Sequence, residues 1–171
     1  MSIVINLIGQ PGGGKSTGMA YIFSQLKLKG ISCEQADEYI KSKIWEGHDH
    51  ISEYQIYVFA KQLKKLQSLN NKVDVIVTDS PLFLQMYYGE HEGENFKNLV
   101  MEKFNSFTNK NYFINRVKKY DPKGRYQTEE ESDIISKKLK SLLNEYNIDY
   151  KIVNGDMEGY NTIIKEIIES I

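Results

Sequence analysis

The sequence predicts an α/β fold, in which helices cover both faces of a five-stranded parallel sheet. Three observations predict it. Short apolar segments of strand length alternate with segments of helical periodicity along the 171 residues, which form a single predicted domain, 1–171. A glycine-rich loop separates the first strand from the first helix. Further polar clusters follow other strands, and ligands of such sheets collect beyond the carboxyl ends of the strands.

The predicted strands are short runs rich in β-branched and aromatic residues. The first, Ile3–Ile8, is followed by glycines, and the third, Val73–Thr78, ends at the sequence Asp79-Ser-Pro. Apolar runs of this length that are bounded by polar turns are typical of buried parallel strands. The strands are predicted at residues 3–8, 31–36, 73–78, 112–115 and 150–153.

Between the strands, apolar residues recur at helical spacing. In residues 51–70 the predicted apolar face consists of Ile56, Phe59, Leu63 and Leu66. The sequence from Thr128 to Glu131 has the spacing of a capping box, which predicts the start of a helix. Helices are predicted at 15–29, 37–46, 51–70, in a short segment ending near 88, at 96–107, from 128 onward and after 156.

The composition argues against several classes of protein. A net charge of −1 gives no general attraction to nucleic acid or to an anionic membrane. Cys33 is the only cysteine, which excludes an internal disulfide framework and a cysteine-rich metal site and predicts a buried thiol on a strand. The opening apolar run is too short for a membrane span, so we expect a cytoplasmic protein without a membrane partner.

The first loop carries the most specific motif. Its sequence, Gly9-Gln-Pro-Gly-Gly-Gly-Lys15-Ser16, matches the phosphate-binding pattern Gly-x-x-x-x-Gly-Lys-Ser between a strand and a helix. Backbone N–H groups and the helix dipole bind phosphate, Lys15 reaches the β- and γ-phosphates, and the Ser16 hydroxyl suits Mg²⁺. The predicted nucleotide-binding residues are Gly9, Gln10, Pro11, Gly12, Gly13, Gly14, Lys15, Ser16, Thr17, Arg116 and Asn154.

Two further segments indicate phosphoryl transfer. Asp79 ends an apolar strand and is predicted to hold Mg²⁺ with Ser16, although capping of the following helix is an alternative role. Residues 116–128 are strongly basic, with Arg116 and Arg125 among five cations, and we interpret them as a lid that closes over the transferring phosphoryl group. The alternative is a solvated basic loop that precedes an acidic helix start.

Several segments together resemble a known family. They are Ala36-Asp-Glu-Tyr-Ile40, Ile44-Trp-Glu-Gly47, Thr78-Asp-Ser-Pro-Leu82 and Gly124-Arg-Tyr-Gln-Thr-Glu-Glu-Glu131. The chain resembles the small P-loop kinases of nucleosides and nucleotides, and more narrowly the AAA-type ATPase/kinase proteins common in phage genomes. Parts of the lid resemble the nicotinamide riboside kinase domain. The resemblance implies a P-loop NTPase three-layer sandwich with sheet order 2-3-1-4-5, a kinase-type lid, ATP with Mg²⁺, and the host cytoplasm for a phage protein.

The same resemblance implies a catalytic base at the end of the second strand. The matching position is Glu38, with Asp37 beside it, and a helix-terminal charge is the alternative role. The predicted substrate-binding residues are Asp37, Glu38, Tyr54 and Arg125, and the aromatic residues that either stack on a base or pack in the core are Trp45, Tyr54, Tyr57, Tyr87 and Tyr88. Ser80 follows Asp79, whereas nucleoside kinases usually carry arginine there.

The function predicted from the sequence is transfer of the γ-phosphoryl group of ATP to a nucleoside, a nucleotide or a related small acceptor. Two alternatives stay open: a kinase of a modified base or an end in DNA, which the resemblance to the phage family implies, and an ATPase or switch that acts through a protein partner. The sequence leaves the oligomeric state open. The predicted catalytic residues are Lys15, Glu38, Asp79, Arg116 and Arg125, and the predicted metal-binding residues are Ser16 and Asp79.

Overall fold

A parallel sheet lies at the centre of the computed structural model, which describes residues 1–121 and 127–171. The strands pair in the order β2-β3-β1-β4-β5, all parallel, so the predicted α/β class and the order 2-3-1-4-5 are confirmed. The strands are β1 (Ile3–Ile8), β2 (Cys33–Gln35), β3 (Val75–Thr78), β4 (Thr108–Asn115) and β5 (Lys151–Asn154).

Helices cover both faces of this sheet. They are α1 (Lys15–Leu28), α2 (Tyr39–Trp45), α3 (Gln55–Leu69), α4 (Gln85–Tyr88), α5 (Glu94–Asn105), α6 (Glu129–Glu145) and α7 (Met157–Ser170). Short 3₁₀ turns span Asp49–Glu53, Leu82–Leu84 and Glu90–Glu92. The helix bounds differ from the predicted ones by a few residues, as is usual for boundaries read from a sequence.

The central strand β1 shows why both faces are covered. Val4 and Ile8 belong to the core cluster shared with α3, α4, α5 and α6, whereas Ile5 and Leu7 belong to the cluster shared with α1 and α7. All four side chains are essentially inaccessible to solvent. Because successive side chains point to opposite faces, a continuous apolar run requires a helical layer on each side.

The strand β4 is longer than predicted, since it begins at Thr108 rather than at residue 112. Its first residues are polar, and for that reason the apolar pattern did not reveal them. The buried Asn6 of β1 donates hydrogen bonds from Nδ2 to Asn109 Oδ1 at 2.8 Å and to Asn111 Oδ1 at 2.9 Å. Hydrogen bonds between amides, rather than apolar contacts, therefore join the two strands at this point.

The predicted apolar face of α3 is wrong at one position. Ile56 is 53% exposed, and the buried residues of the helix are Gln55, Val58, Phe59, Gln62 and Leu66. The inward face keeps Phe59 and Leu66 of the predicted face but turns toward Gln55, Val58 and Gln62 rather than toward Ile56. Gln55 and Gln62 are buried although they are polar, so a face chosen from apolar residues alone could not include them.

Other local predictions are confirmed. Thr128 and Glu131 form both hydrogen bonds of the capping box at the start of α6. Cys33 is fully buried on β2, as predicted. Among the helices of residues 1–121 and 127–171, none has the length and apolar character needed to cross a membrane.

Candidate active site

The phosphate loop connects β1 to α1 at the carboxyl edge of the sheet. Gly14 adopts φ 99°, a left-handed conformation that favours glycine, and a Cβ there would lie 2.6 Å from the Tyr160 hydroxyl oxygen. That hydroxyl donates a hydrogen bond to the Gly14 carbonyl oxygen at 2.8 Å. The helix α7 therefore holds the loop against the N-terminus of α1, where backbone N–H groups bind phosphate.

The side chains of Lys15 and Ser16 are both engaged at the loop. Lys15 Nζ donates to the carbonyl oxygens of Gly9 at 2.8 Å and Gln10 at 3.0 Å. Ser16 Oγ donates to Asp79 Oδ2 at 2.6 Å. The structure thus brings together the two predicted metal-binding residues, one from the phosphate loop and one from the end of β3.

Asp79 has the chemistry of a magnesium ligand. It is 4% exposed, and its second oxygen, Oδ1, is buried without a hydrogen-bond partner in the described residues. A hydroxyl and a carboxylate suit Mg²⁺, which takes one or two protein oxygens and keeps several waters. In the same described residues there is no group of three or more His, Cys, Asp or Glu side chains that would form an all-protein metal cage.

A buried amide holds the segment that follows β2. Gln62 of α3 is 2% exposed. Its Nε2 donates to the Ala36 carbonyl oxygen at 3.2 Å and to Thr78 Oγ1 at 3.4 Å, and its Oε1 accepts from the Tyr39 backbone N–H at 3.3 Å. Thr78 Oγ1 in turn donates to the Ala36 carbonyl oxygen at 2.7 Å. Residues 36–39 are therefore tied to both α3 and β3.

This segment places Glu38 in the site. Burial is the main cause that raises the pKa of the Glu38 carboxyl, while Lys15 lowers it and Asp79 raises it. Burial also raises the pKa of the Tyr88 hydroxyl, with a smaller contribution from the charge of Glu38. The predicted base thus lies within electrostatic reach of the phosphate loop, the end of β3 and α4.

Asp37 and Tyr54 have different surroundings from Glu38. Asp37 is exposed, and it accepts a hydrogen bond from Lys65 Nζ of α3 at 2.7 Å. Tyr54 is 61% exposed, and Trp45 at the end of α2 is 76% exposed. The aromatic residues Trp45 and Tyr54 therefore lie at the surface around α2 and α3, and the alternative that they pack in the core is wrong.

Arg116 lies at the base of the predicted lid and is paired with α6. Its guanidinium donates to Asp133 Oδ1 at 2.7 Å and to Glu129 Oε1 at 3.1 Å, and its side chain is 11% exposed. It also donates to Ser132 Oγ at 3.3 Å, and Ser132 donates to the Pro11 carbonyl oxygen of the phosphate loop at 2.8 Å. Arg125 and the middle of the lid, 122–126, lie outside the described residues.

The end of β5 borders the phosphate loop. Asn154 is exposed, and its Oδ1 accepts from Asn115 Nδ2 at 3.5 Å. The next residue, Gly155, packs so tightly that a Cβ there would lie 2.3 Å from the Gly13 carbonyl oxygen. The C-terminal part of the chain therefore contacts the phosphate loop directly at Gly155, and nucleotide binding by Asn154 stays a prediction.

The sequence alone did not identify four residues that support the site: Gln62, Ser132, Gly155 and Tyr160. Each acts through contacts between elements that are distant in sequence, as in the 146-residue separation of Tyr160 and Gly14. For two of the four, the sequence held one signal: a polar residue at a position of helical periodicity that is otherwise apolar. Gln62 and Ser132 both have that signature, at 2% and 0% exposure.

The strand order, the phosphate loop and the Ser16–Asp79 pair together define a small P-loop NTPase domain. A family model described as AAA domain matches residues 4–159, and the chain belongs to this family. Among solved structures, shikimate kinase from Aquifex aeolicus has a TM-score of 0.51 and 22% identity, and the match covers 98% of this chain and 95% of that chain. At this identity the likeness shows the fold. No curated protein matches the sequence.

Proposed function

We propose that the protein is an ATP-dependent phosphotransferase that moves the γ-phosphoryl group of ATP to a hydroxyl group of a nucleoside, a nucleotide or a related small acceptor. One observation carries this proposal. A half-buried carboxylate, Glu38, lies within electrostatic reach of Lys15 and Asp79, and hydrogen bonds of Gln62 to Ala36 and Tyr39 fix the backbone on either side of it. In a kinase this carboxylate accepts the proton of the acceptor hydroxyl. In an ATPase the same group would orient the attacking water, so the labelled products described below distinguish the two activities.

The nucleotide side of the site is assigned to the phosphate loop. Its backbone N–H groups bind the β- and γ-phosphates. When the nucleotide binds, Lys15 releases the carbonyl oxygens of Gly9 and Gln10 and contacts the phosphates instead. Ser16 and Asp79 hold Mg²⁺, which when bound neutralises charge on the phosphate oxygens. Asp79 Oδ1, which is buried without a hydrogen-bond partner in the described residues, supports this assignment.

The acceptor side of the site is assigned to Glu38. The acceptor hydroxyl oxygen forms a bond to the γ-phosphorus, the bond from phosphorus to the β–γ bridging oxygen breaks, and ADP leaves. The hydroxyl proton passes to the Glu38 carboxylate. Because burial raises the pKa of this carboxyl, it is a stronger base than an exposed glutamate.

The cations of the lid complete the proposal. Arg116 is tied to Asp133 and Glu129, so its direct contact with phosphate requires exchange of those partners when the lid closes. Arg125 is proposed as the second cation. Closure of a cationic lid excludes water and stabilises charge on the transferring group.

Transfer of radioactive phosphate from γ-labelled ATP tests the proposal. Purified protein is incubated with Mg²⁺, labelled ATP and a panel of nucleosides and nucleotides, and the products are separated by chromatography. We expect labelled acceptor to accumulate with ADP in equal amounts. Label that appears only as inorganic phosphate, with every acceptor, contradicts the proposal and favours an ATPase or switch.

A second candidate, a kinase of a base or an end in DNA, is supported by one surface. Trp45, Tyr54 and Tyr57 are exposed, and Lys61 Nζ lies 5.0 Å from the centre of the Tyr57 ring. Aromatic rings beside cations are the usual platform for single-stranded nucleic acid. This candidate predicts labelled DNA whose formation falls steeply with salt, whereas transfer to a free nucleoside depends only weakly on salt.

A further inference from the structure

Four oxygen atoms are buried without a hydrogen-bond partner in the described residues: Gln10 Oε1, Gln55 Oε1, Asp79 Oδ1 and Gln85 Oε1. A buried polar atom without a partner destabilises a fold by about 1–3 kcal/mol, so each such atom requires an explanation. Gln10 and Asp79 belong to the nucleotide and metal side of the site. Gln55 and Gln85 have no role there.

Gln85 lies on the helix that leads away from the metal ligand Asp79. It is the first residue of α4, which follows β3 after the turn Leu82–Leu84, and it is 6% exposed. Tyr88 stands three residues later, on the same face of the helix. Since Tyr88 is close enough to Glu38 for the two to interact electrostatically, this face of α4 borders the proposed base.

Gln55 lies on the same side of the sheet edge. It is the first residue of α3, and Gln62, two turns later on the same helix face, contacts Thr78 at the end of β3. At 1.5 Å per residue, Gln55 lies about 10 Å farther along the helix axis, beyond the strand ends. Its Nε2 donates to the Ser52 carbonyl oxygen at 2.5 Å, which leaves Oε1 as the group without a partner.

The unpartnered oxygens of Gln55 and Gln85 call for a ligand that donates hydrogen bonds, and the charges around Glu38 favour one that carries no phosphate. Asp37, Asp79, Lys15 and Lys41 all contribute to the electrostatics of Glu38, and Asp37 is itself paired with Lys65. In the proposed site Lys15 contacts the ATP phosphates and Asp79 holds Mg²⁺, so Glu38 and Lys41 are the charges left beside the acceptor. An acceptor that carries its own phosphate would meet the Glu38 carboxylate and the amide oxygens, whereas an uncharged compound rich in O–H and N–H donors would satisfy them.

We propose that Gln85, together with Gln55, binds the acceptor through hydrogen bonds donated by the acceptor, and that this acceptor is an uncharged polyhydroxyl compound such as an unphosphorylated nucleoside. The inference rests on the proposed kinase function and deepens it. Gln85 is a specificity residue in this proposal, because its amide oxygen selects for a donor on the acceptor. An acceptor that lacks the donor leaves the oxygen unsatisfied.

The variant Gln85→Met tests the proposal because methionine has nearly the size of glutamine but no polar amide. Gln67→Met, at an exposed position of α3, is the matched control. We expect Gln85→Met to raise the KM of the nucleoside acceptor about tenfold, the effect of one lost hydrogen bond, with the ATP affinity measured by calorimetry unchanged. Its thermal midpoint stays the same or rises by about 3 °C, because an unsatisfied buried group is removed.

The possible outcomes separate this inference from the proposed function. If the wild-type protein transfers label to no compound, both fall. If it transfers label but Gln85→Met keeps the acceptor KM, or loses several degrees of thermal midpoint without a change in KM, Gln85 is structural and only the inference falls. Faster turnover of nucleoside monophosphates than of the corresponding nucleosides also overturns it.

Discussion

Asp37 and Glu38 are adjacent carboxylates with the same chemistry but different surroundings. The segment after β2 turns Glu38 toward Lys15 and Asp79, whereas Asp37 is exposed and bound by Lys65. The sequence suggested either residue as the base. The difference between them depends on α3, which pairs Lys65 with Asp37 and fixes the backbone around Glu38 through Gln62, and a sequence pattern does not reveal contacts between such distant residues.

Replacing Glu38 by glutamine removes the proposed base and keeps the shape of the side chain. We expect kcat to fall by a factor of about 100 or more, with ATP affinity nearly unchanged, because general base catalysis acts on the chemical step. Steady-state kinetics and calorimetry measure the two effects. The control Asp37→Asn should retain nearly full kcat, and a larger loss in Asp37→Asn than in Glu38→Gln contradicts the assignment.

The pH dependence of kcat follows from the same carboxyl. Its pKa is raised, so the protonated form, which cannot accept a proton, persists to a higher pH than for an ordinary glutamate. The rate therefore falls as the pH decreases through this raised pKa. We expect this acidic limb in the wild-type profile and its disappearance in the residual activity of Glu38→Gln.

Lys15→Ala tests the nucleotide side at the same scale. Removing the ammonium group eliminates charge stabilisation of the transferring phosphoryl group, and we expect a loss of at least about 100-fold in kcat/KM for ATP. The fold should persist, as judged by circular dichroism and thermal unfolding. Lys64→Ala, at an exposed position of α3, is the control. Full activity of Lys15→Ala would show that the phosphates bind elsewhere.

At the scale of elements, α3 fixes the backbone on either side of the proposed base, Glu38, through Gln62. Gln62→Met removes its hydrogen bonds with the Ala36 carbonyl oxygen and the Tyr39 N–H. We expect the free energy of unfolding to fall by about 1–3 kcal/mol and kcat to fall about tenfold, since small displacements of a reacting group are costly. ATP affinity should remain. Because Glu38 is still present, the acidic limb of the pH profile should also remain, and its loss would contradict a positioning role.

The junction of β5 and α7 supports the phosphate loop in a similar way. In Gly155→Ala, the new methyl group would lie 2.3 Å from the Gly13 carbonyl oxygen, so the loop must move. We expect ATP affinity, measured by calorimetry, to weaken at least tenfold. In the control Gly30→Ala, where a Cβ contacts nothing within 4 Å, the positive φ of 80° lowers stability by about 1 kcal/mol but leaves ATP affinity intact.

What the sequence predicted correctly at this scale has a common cause. Strands and helices follow from local periodicity, and the phosphate loop follows from a short contiguous motif, so both are visible in one chain. The polar start of β4 and the inward face of α3 were missed because buried amides there replace apolar residues. Support of the loop by Gly155 and Tyr160 was missed because it depends on contacts between distant segments.

On the scale of the whole molecule, Cys33 reports on the integrity of the sheet. Burial raises the pKa of its thiol to about 12, so the folded protein holds it protonated and inaccessible. We expect negligible reaction with a thiol reagent at pH 8 in buffer and rapid reaction of one thiol in denaturant. Labelling that is fast under native conditions would show that β2 opens locally, before global unfolding.

The contact between Tyr160 and Gly14 joins two segments that are 146 residues apart at the phosphate loop. During synthesis the tyrosine that braces the loop therefore emerges from the ribosome 146 residues after the loop itself. At about 5–20 residues per second, this interval lasts roughly 7–30 s. Throughout this interval the nascent chain lacks the contact that braces its phosphate loop, so nucleotide binding becomes a late marker of maturation.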